Sequence, residues 1–176
     1  MSSSAPNDLR NSRSLAVLRI SVGLLFLIFG EYKVFGTDFT LGGGFQFWIN
    51  AFLDEGAYPF MVPVLRHFVL PHGTAIAFLV AYGELAIGLS LIAGLWVRWA
   101  SAAGVLYMLA LIFSSNFPLA TNYHGGHVQF WQYFGASVDH SVFALCFVAF
   151  LVGDSERVWS VSAGRKASTE RGRLAA

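Results

Sequence analysis

The sequence is poor in cysteine and in charge. It has one cysteine, Cys146, so an intrachain disulfide is excluded. Charged residues make up 12% of the chain, about half the roughly 25% that is typical of soluble domains. The net charge is +1 and no basic patch lies outside the termini, which argues against a nucleic-acid partner. Motifs for covalent haem, phosphate loops, nucleophile elbows and zincin metal sites are also missing.

Long apolar runs are what the sequence does contain, and the most informative one covers residues 75–96. At about 1.5 Å per residue, a helix of this length crosses the hydrocarbon core of a bilayer. Its one ionisable residue, Glu84, lies near the middle. A carboxylate at that depth is costly when it faces lipid, so we expect Glu84 to face protein, water or a ligand. It is therefore the first candidate functional residue.

Small residues share a helical face with this glutamate. Ala77, Ala81 and Gly88 follow the spacing of a single face that includes Glu84. Membrane helices pack closely where such small residues meet. The first apolar run has a similar face, which carries the small and charged residues Arg19, Gly23, Gly30 and Lys33. The two faces predict a polar centre inside a small membrane bundle.

The complete pattern predicts an all-α integral membrane four-helix bundle. Its membrane domain is expected over residues 14–153, between disordered cytoplasmic tails at 1–13 and 154–176. The aromatic-rich pieces 45–53 and 58–70 are too short to span, so they are predicted to be short interfacial helices in the first connection. The predicted spans cover about 15–35, 73–96, 99–117 and 137–153.

Basic residues predict the topology. Arg10 and Arg13 precede the first span, Arg98 lies in the turn between the second and third, and five Lys or Arg follow the fourth. The first connection has only Lys33 and Arg66 at or beyond its start, and the last connection has none. Because positive charge is retained on the cytoplasmic side, both termini are expected to be cytoplasmic.

Two stretches carry a resemblance to a known family: LRISVGLLFLIFGEYKVFG (18–36) and GELAIGLSLIAGLWVRWAS (83–101). Together with Val138-Asp139-His140, they resemble the DoxX/DoxD group of four-helix membrane proteins. That group is similar to the small membrane subunit of thiosulfate:quinone oxidoreductase. The resemblance implies a multi-pass protein of the bacterial inner membrane that serves a redox system, either by binding quinone or by anchoring a redox protein partner.

A quinone site needs hydrogen-bond donors and a proton source inside an apolar slot. Five residues are candidates to supply them: Glu84, Lys33, His140, Asp139 and Arg19. A pocket of Lys33, Glu84 and Asp139–His140 is more coherent than one that includes Arg19, which lies near the other end. Structural roles stay open: Glu84 pairing with Arg19 or backbone, Lys33 extending to the interface, and Asp139 capping its helix.

Metal binding is a separate question, raised by His124 and His127 three residues apart. The two glycines between them indicate a flexible loop, and no Cys or carboxylate motif accompanies them, so no metal site is predicted.

The expected partners are the lipid bilayer and a redox protein, and self-association of the chain also stays open. The alternatives to a redox subunit are a non-enzymatic scaffold or assembly factor and a small-molecule permease, which four helices would form only as an oligomer.

Overall fold

The computed structural model describes residues 4–115, 117–118, 128–130, 132–135, 137–153, 155–156 and 158–163. Within these residues all regular structure is helical, so the all-α prediction is confirmed. The elements in chain order are α1 (Ser4–Phe35), α2 (Thr37–Thr40), α3 (Gly44–Glu55), α4 (Val62–Val64), a π-helical turn (Leu65–Val69), α5 (Gly73–Ala93), α6 (Val97–Ser114), α7 (Gln132–Gly135) and α8 (Val138–Val152).

Among the described residues, three helices are long and apolar enough to cross a membrane. They are Leu9–Phe35 within α1, Gly73–Ala93 and Val97–Ser114. The fourth predicted span corresponds to α8, an apolar helix of 15 residues that packs against α6 and α1. At 1.5 Å per residue α8 is about 22 Å long, shorter than the roughly 30 Å hydrocarbon core.

The structure describes residues 4–13, 155–156 and 158–163 of the ranges predicted as tails, 1–13 and 154–176. Helix α1 begins at Ser4, and its residues Ser12 and Ala16 are buried. Near the other end, Trp159 accepts a 2.7 Å hydrogen bond from Arg19, and Ser162 Oγ donates a 2.7 Å bond to the carbonyl of Gly94. Two of residues 158–163 are therefore bonded to Arg19 of α1 and to the C-terminal end of α5. Residues 164–176 lie outside the described part.

Helices α1 and α5 touch backbone to backbone. A Cβ added at Gly30 would lie 2.7 Å from the nitrogen of Leu85, and one at Gly88 would lie 2.7 Å from the nitrogen of Leu27. Gly23 completes this seam, because its own added Cβ would lie 3.0 Å from the carbonyl oxygen of Gly88. The predicted small-residue faces are therefore the surfaces along which these two helices meet.

An aromatic core joins α6 and α8 to α1. Phe147 of α8 packs edge-on against Phe26 of α1, with ring centroids 5.1 Å apart. The Phe147 ring also fills the space beside Gly104 of α6, where an added Cβ would meet its edge at 2.5 Å. This core holds α8 against α6 and α1.

The first connection forms a helical cap, as predicted, over the end of the bundle where α5 begins. Phe45 and Ile49 of α3 are buried in one cluster with Leu65 and with Ala77 of α5. Two backbone hydrogen bonds tie this cap to the end of α6: Tyr58 N to Phe113 O at 3.0 Å, and Phe117 N to Gly56 O at 2.7 Å. The cap therefore fixes the outer ends of α5 and α6 relative to each other.

The glycine seam predicts a selective sensitivity to added side-chain volume. Gly30→Ala is expected to lower the free energy of unfolding by about 1–3 kcal/mol, because its methyl group would press on the α5 backbone. Gly83→Ala is the matched control, since an added Cβ at Gly83 meets nothing within 4 Å. Unfolding in a detergent–SDS titration measures both variants. Equal stability of Gly30→Ala and the wild-type protein would contradict the seam.

Candidate functional site

Glu84 is the centre of a buried charged cluster. Its Oε1 atom lies 2.5 Å from the Nζ of Lys33 and also accepts a hydrogen bond from the hydroxyl of Tyr107, at 2.5 Å. These three residues come from α5, α1 and α6. The glutamate itself is only 5% exposed. The cluster therefore ties three membrane helices together through one carboxylate oxygen.

The second carboxylate oxygen of Glu84 takes no part in these two contacts. Oε2 is buried and has no hydrogen-bond partner among the described residues. An unsatisfied buried acceptor costs free energy, and more so when it carries charge. This atom is consequently the place in the cluster where a proton or a donor from a ligand would be stabilised.

Lys33 is the accessible edge of the cluster. Its side chain is 19% exposed, against 6% for the side chain of Glu84. Its ammonium group also lies 5.1 Å from the centre of the Phe39 ring, within the range of a cation–π contact. The lysine thus turns toward Glu84 instead of extending away to the interface.

Tyr107 was not among the residues predicted from the sequence. A signal was available, since a tyrosine inside an apolar helix usually finds a hydrogen-bond partner for its hydroxyl. Tyr107 lies on α6, and its ring packs edge-on against Phe26 with centroids 6.5 Å apart. What the sequence does not give is the rotation of α6 that aims this hydroxyl at Glu84.

Asp139 and His140 lie apart from the cluster in their contacts. His140 Nδ1 is 3.1 Å from Asp139 Oδ1, although the two atoms are not in hydrogen-bond geometry. In the described part of the chain, neither side chain has a hydrogen bond or ion pair with Glu84. Asp139 is exposed in the first turn of α8, where its charge suits the helix dipole, and the N-cap is Ser137.

Arg19 is fully buried near the middle of α1, beside Gly94 at the C-terminal end of α5. Its Nη2 atom donates to the carbonyl of Trp159, and within the described residues its Nε and Nη1 atoms have no hydrogen-bond partner. Gly94 lies directly against this guanidinium, since an added Cβ would collide with Nη1. The alternative in which Glu84 pairs with Arg19 is not what the structure shows; Lys33 takes that place.

Metal ligands do not gather in the part of the chain that the structure describes. No group of three or more His, Cys, Asp or Glu side chains is placed to hold an ion there. His124 and His127, which raised the question of a metal, lie outside the described residues.

A groove of about 530 Å³ opens between α5 and α6. Its floor includes the buried residues Ile87 and Ala100, and its rim includes the exposed rings of Trp96 and Trp99. Gly83, the chain neighbour of Glu84, lines the groove and leaves open space beside it. Lys33, Glu84 and Tyr107 are not among the residues that line the groove.

A double-mutant cycle tests whether the cluster is one energetic unit. Lys33→Met and Glu84→Gln are each expected to lower the free energy of unfolding by about 1–3 kcal/mol, because each leaves a buried polar partner unsatisfied. The double variant should lose less than the sum of the two, by about 0.5–3 kcal/mol.

SDS titration in detergent measures the cycle. Glu31→Gln is its control, because Glu31 is an exposed carboxylate on α1, and that variant should stay within about 0.5 kcal/mol of the wild-type protein. Strictly additive losses would show that Lys33 and Glu84 do not interact.

Comparison with protein families gives one match. The model of the DoxX family matches residues 14–116, which is more than half of the chain. The matched region contains Arg19, Lys33, Glu84 and Tyr107, whereas α8 with Asp139 and His140 lies beyond it. No curated protein and no solved structure gave a significant match.

Proposed function

The chain belongs to the DoxX family of membrane proteins, and from that premise we propose that it is the membrane subunit of a redox system that binds a quinone at the Lys33–Glu84–Tyr107 cluster. The single observation that carries this proposal is the buried, unpartnered Oε2 of Glu84. A carboxylate that only fixed helix packing would gain from satisfying both of its oxygens.

The residues of the cluster fit a quinone head. A bound quinone supplies two-electron redox chemistry and presents two carbonyl oxygens that accept hydrogen bonds. Lys33 Nζ and Tyr107 Oη are donors held within one cluster, and both now share Glu84 Oε1. When either donor turns toward a ligand, the other still donates to the carboxylate. A quinone can therefore bind without leaving the Glu84 carboxylate unpaired.

Proton exchange is the second task of such a site. Oε2 of Glu84 is a buried oxygen at which a proton in transit can be accepted, because it has no hydrogen-bond partner among the described residues. The partly exposed Lys33 side chain gives the cluster its contact with the surroundings. Glu84 and Lys33 therefore move a proton between the surroundings and the bound head, while the apolar helices around them exclude water.

Electrons must come from another protein under this proposal. The sequence has no cofactor-binding motif of its own, so the source is a redox protein partner. The basic residues before the first span and after the last one support cytoplasmic termini in a bacterial inner membrane. The partner would then meet the inner end of the bundle, near the buried Arg19 and residues 158–163.

A non-enzymatic scaffold is the second candidate. It is favoured by the way the Glu84 cluster joins α1, α5 and α6, since such a bridge also serves packing alone. Under this alternative the cluster holds no ligand, and polar replacements that preserve packing are tolerated. Quinone content separates the two candidates directly.

Quinone extraction tests the proposed function. Protein purified in mild detergent from quinone-containing membranes is extracted with organic solvent, and the extract is analysed by absorbance and mass spectrometry. The wild-type protein should yield quinone, and Glu84→Gln should yield about a tenth or less, because Glu84 positions Lys33, whose charge-assisted hydrogen bond to a quinone carbonyl is worth roughly 1.5–3 kcal/mol. Membrane insertion should be unchanged in both.

Glu31→Gln is the matched control and should retain its quinone. Equal quinone content in correctly inserted wild-type and Glu84→Gln protein would remove Glu84 from the site. Absence of quinone from all three proteins would favour the scaffold.

A further inference from the structure

The Lys33 ammonium group has a second contact besides the carboxylate of Glu84. Its Nζ atom lies over the ring of Phe39, 5.1 Å from the ring centre, and the lysine side chain is partly exposed. The negative face of an aromatic ring attracts a cation that lies within about 6 Å of its centre. The ammonium group is therefore shared between a carboxylate of α5 and an aromatic ring of α2.

The helical cap holds the Phe39 ring in place. The ring packs edge-on against Phe45, with centroids 5.7 Å apart, and Phe45 is buried in the cap. The loop after α2 is folded back tightly on this helix. A Cβ added at Gly42 would lie 2.7 Å from the Cα of Asp38, and one at Gly44 would lie 2.8 Å from the carbonyl oxygen of Asp38. The position of the ring is thus set by the backbone of α2 and by the cap.

The attraction between the ring and the ammonium group depends on where the ammonium group is. While Nζ is paired with Glu84, the adjacent negative charge offsets the field that the ammonium group exerts on the ring. When Nζ leaves the carboxylate, the ring meets an isolated positive charge and attracts it more strongly. Phe39 therefore stabilises the separated ammonium group more than the paired one. Such a difference between two states is what allows a contact to shift the equilibrium between them.

Tyr107 is held in a different way. Its hydroxyl donates to the same oxygen of Glu84, and its ring packs edge-on against Phe26. This contact between two rings stays the same whichever way the hydroxyl points. A hydroxyl that left the carboxylate would gain nothing from Phe26, whereas the ammonium group gains from Phe39. Lys33 is consequently the donor that leaves Glu84 at the lower cost.

We propose that Phe39 is a positioning residue, whose ring stabilises the Lys33 ammonium group as it turns from Glu84 to a quinone carbonyl. This inference rests on the proposed function. Tyr107 stays bonded to Glu84, and the quinone head meets the lysine on the side of the cluster that α1 and α2 form. Phe39 acts through the lysine and needs no contact of its own with the ligand.

A packing role is the alternative for Phe39, because its ring also joins α2 to the cap. Fluorination of the ring separates the two roles. Each fluorine withdraws electron density from the face of the ring and weakens its attraction for a cation, while the size of the ring changes little. A packing contact is hardly affected by this change, whereas the stabilisation of the ammonium group weakens with each fluorine.

Quinone affinity across a fluorinated series tests the inference. Phenylalanine with one, two or three ring fluorines is introduced at position 39, and titration calorimetry of the full chain in lipid nanodiscs measures binding of a short-tailed ubiquinone and a short-tailed menaquinone. Affinity should fall stepwise, to about two- to fivefold below wild type for three fluorines, as expected for a partly exposed cation–π contact. Phe39→Leu should lose at least as much, and Phe39→Tyr, which keeps an aromatic face, should match the wild-type protein.

The same series at Phe47 is the matched control, because Phe47 is an exposed ring of α3 that packs against Trp48. It should leave quinone affinity unchanged. Equal affinity throughout the Phe39 series, or the same loss in both series, would overturn the positioning role and leave the quinone function standing. Failure of the wild-type protein to bind either quinone would overturn the proposed function itself.

Discussion

The ion pair between Lys33 and Glu84 is the interaction on which the rest of the structure depends. A carboxylate inside a 21-residue apolar helix has to be neutralised or paired within the protein. The glycine seam makes the pair geometrically feasible. Gly30 touches the backbone of Leu85, which is next to Glu84, and Lys33 lies one turn further along α1. The same contact that brings the helices together therefore sets the lysine opposite the glutamate.

The two ends of the bundle are closed in different ways, while Lys33 leaves the charged cluster one partly exposed edge. Where α5 begins, the helical cap of the first connection is tied to α6 by backbone hydrogen bonds involving Gly56 and Tyr58. Where α5 ends, Arg19 and Gly94 are hydrogen-bonded to Trp159 and Ser162. Around the buried Glu84 the effective dielectric is low, so each of its hydrogen bonds is stronger than it would be in water.

Helical periodicity was enough to predict the orientation of Glu84, because a face of alanine and glycine admits only a closely packed neighbour. The same reasoning placed Lys33 on the facing side of α1. Periodicity alone did not identify Lys33 as the partner of Glu84, because Arg19 lies on the same face of α1. Only the register of α1 against α5 excludes Arg19. Tyr107 lies at helical spacing from the small residues Ala100 and Gly104 of α6, but this spacing does not identify the partner of its hydroxyl.

Composition did not predict the contacts that residues 158–163 make. Residues 158–163 read as a polar tail, yet their carbonyl and hydroxyl groups bond to a buried arginine and a helix end that lie far away in sequence. Asp139 and His140 were grouped with Glu84 by their depth along the helices. Depth does not give lateral distance, and in the described part of the chain neither residue has a hydrogen bond or ion pair with the cluster.

The central claim is that Glu84 exchanges a proton with a ligand inside the membrane, and infrared difference spectroscopy addresses it most directly. Spectra of the purified protein are recorded as bound quinone is reduced and reoxidised. The account predicts a band change from a protonated carboxyl group in the wild-type protein that is missing from Glu84→Gln. A wild-type protein that binds quinone without this signal, or the same signal in Glu84→Gln, would contradict the account.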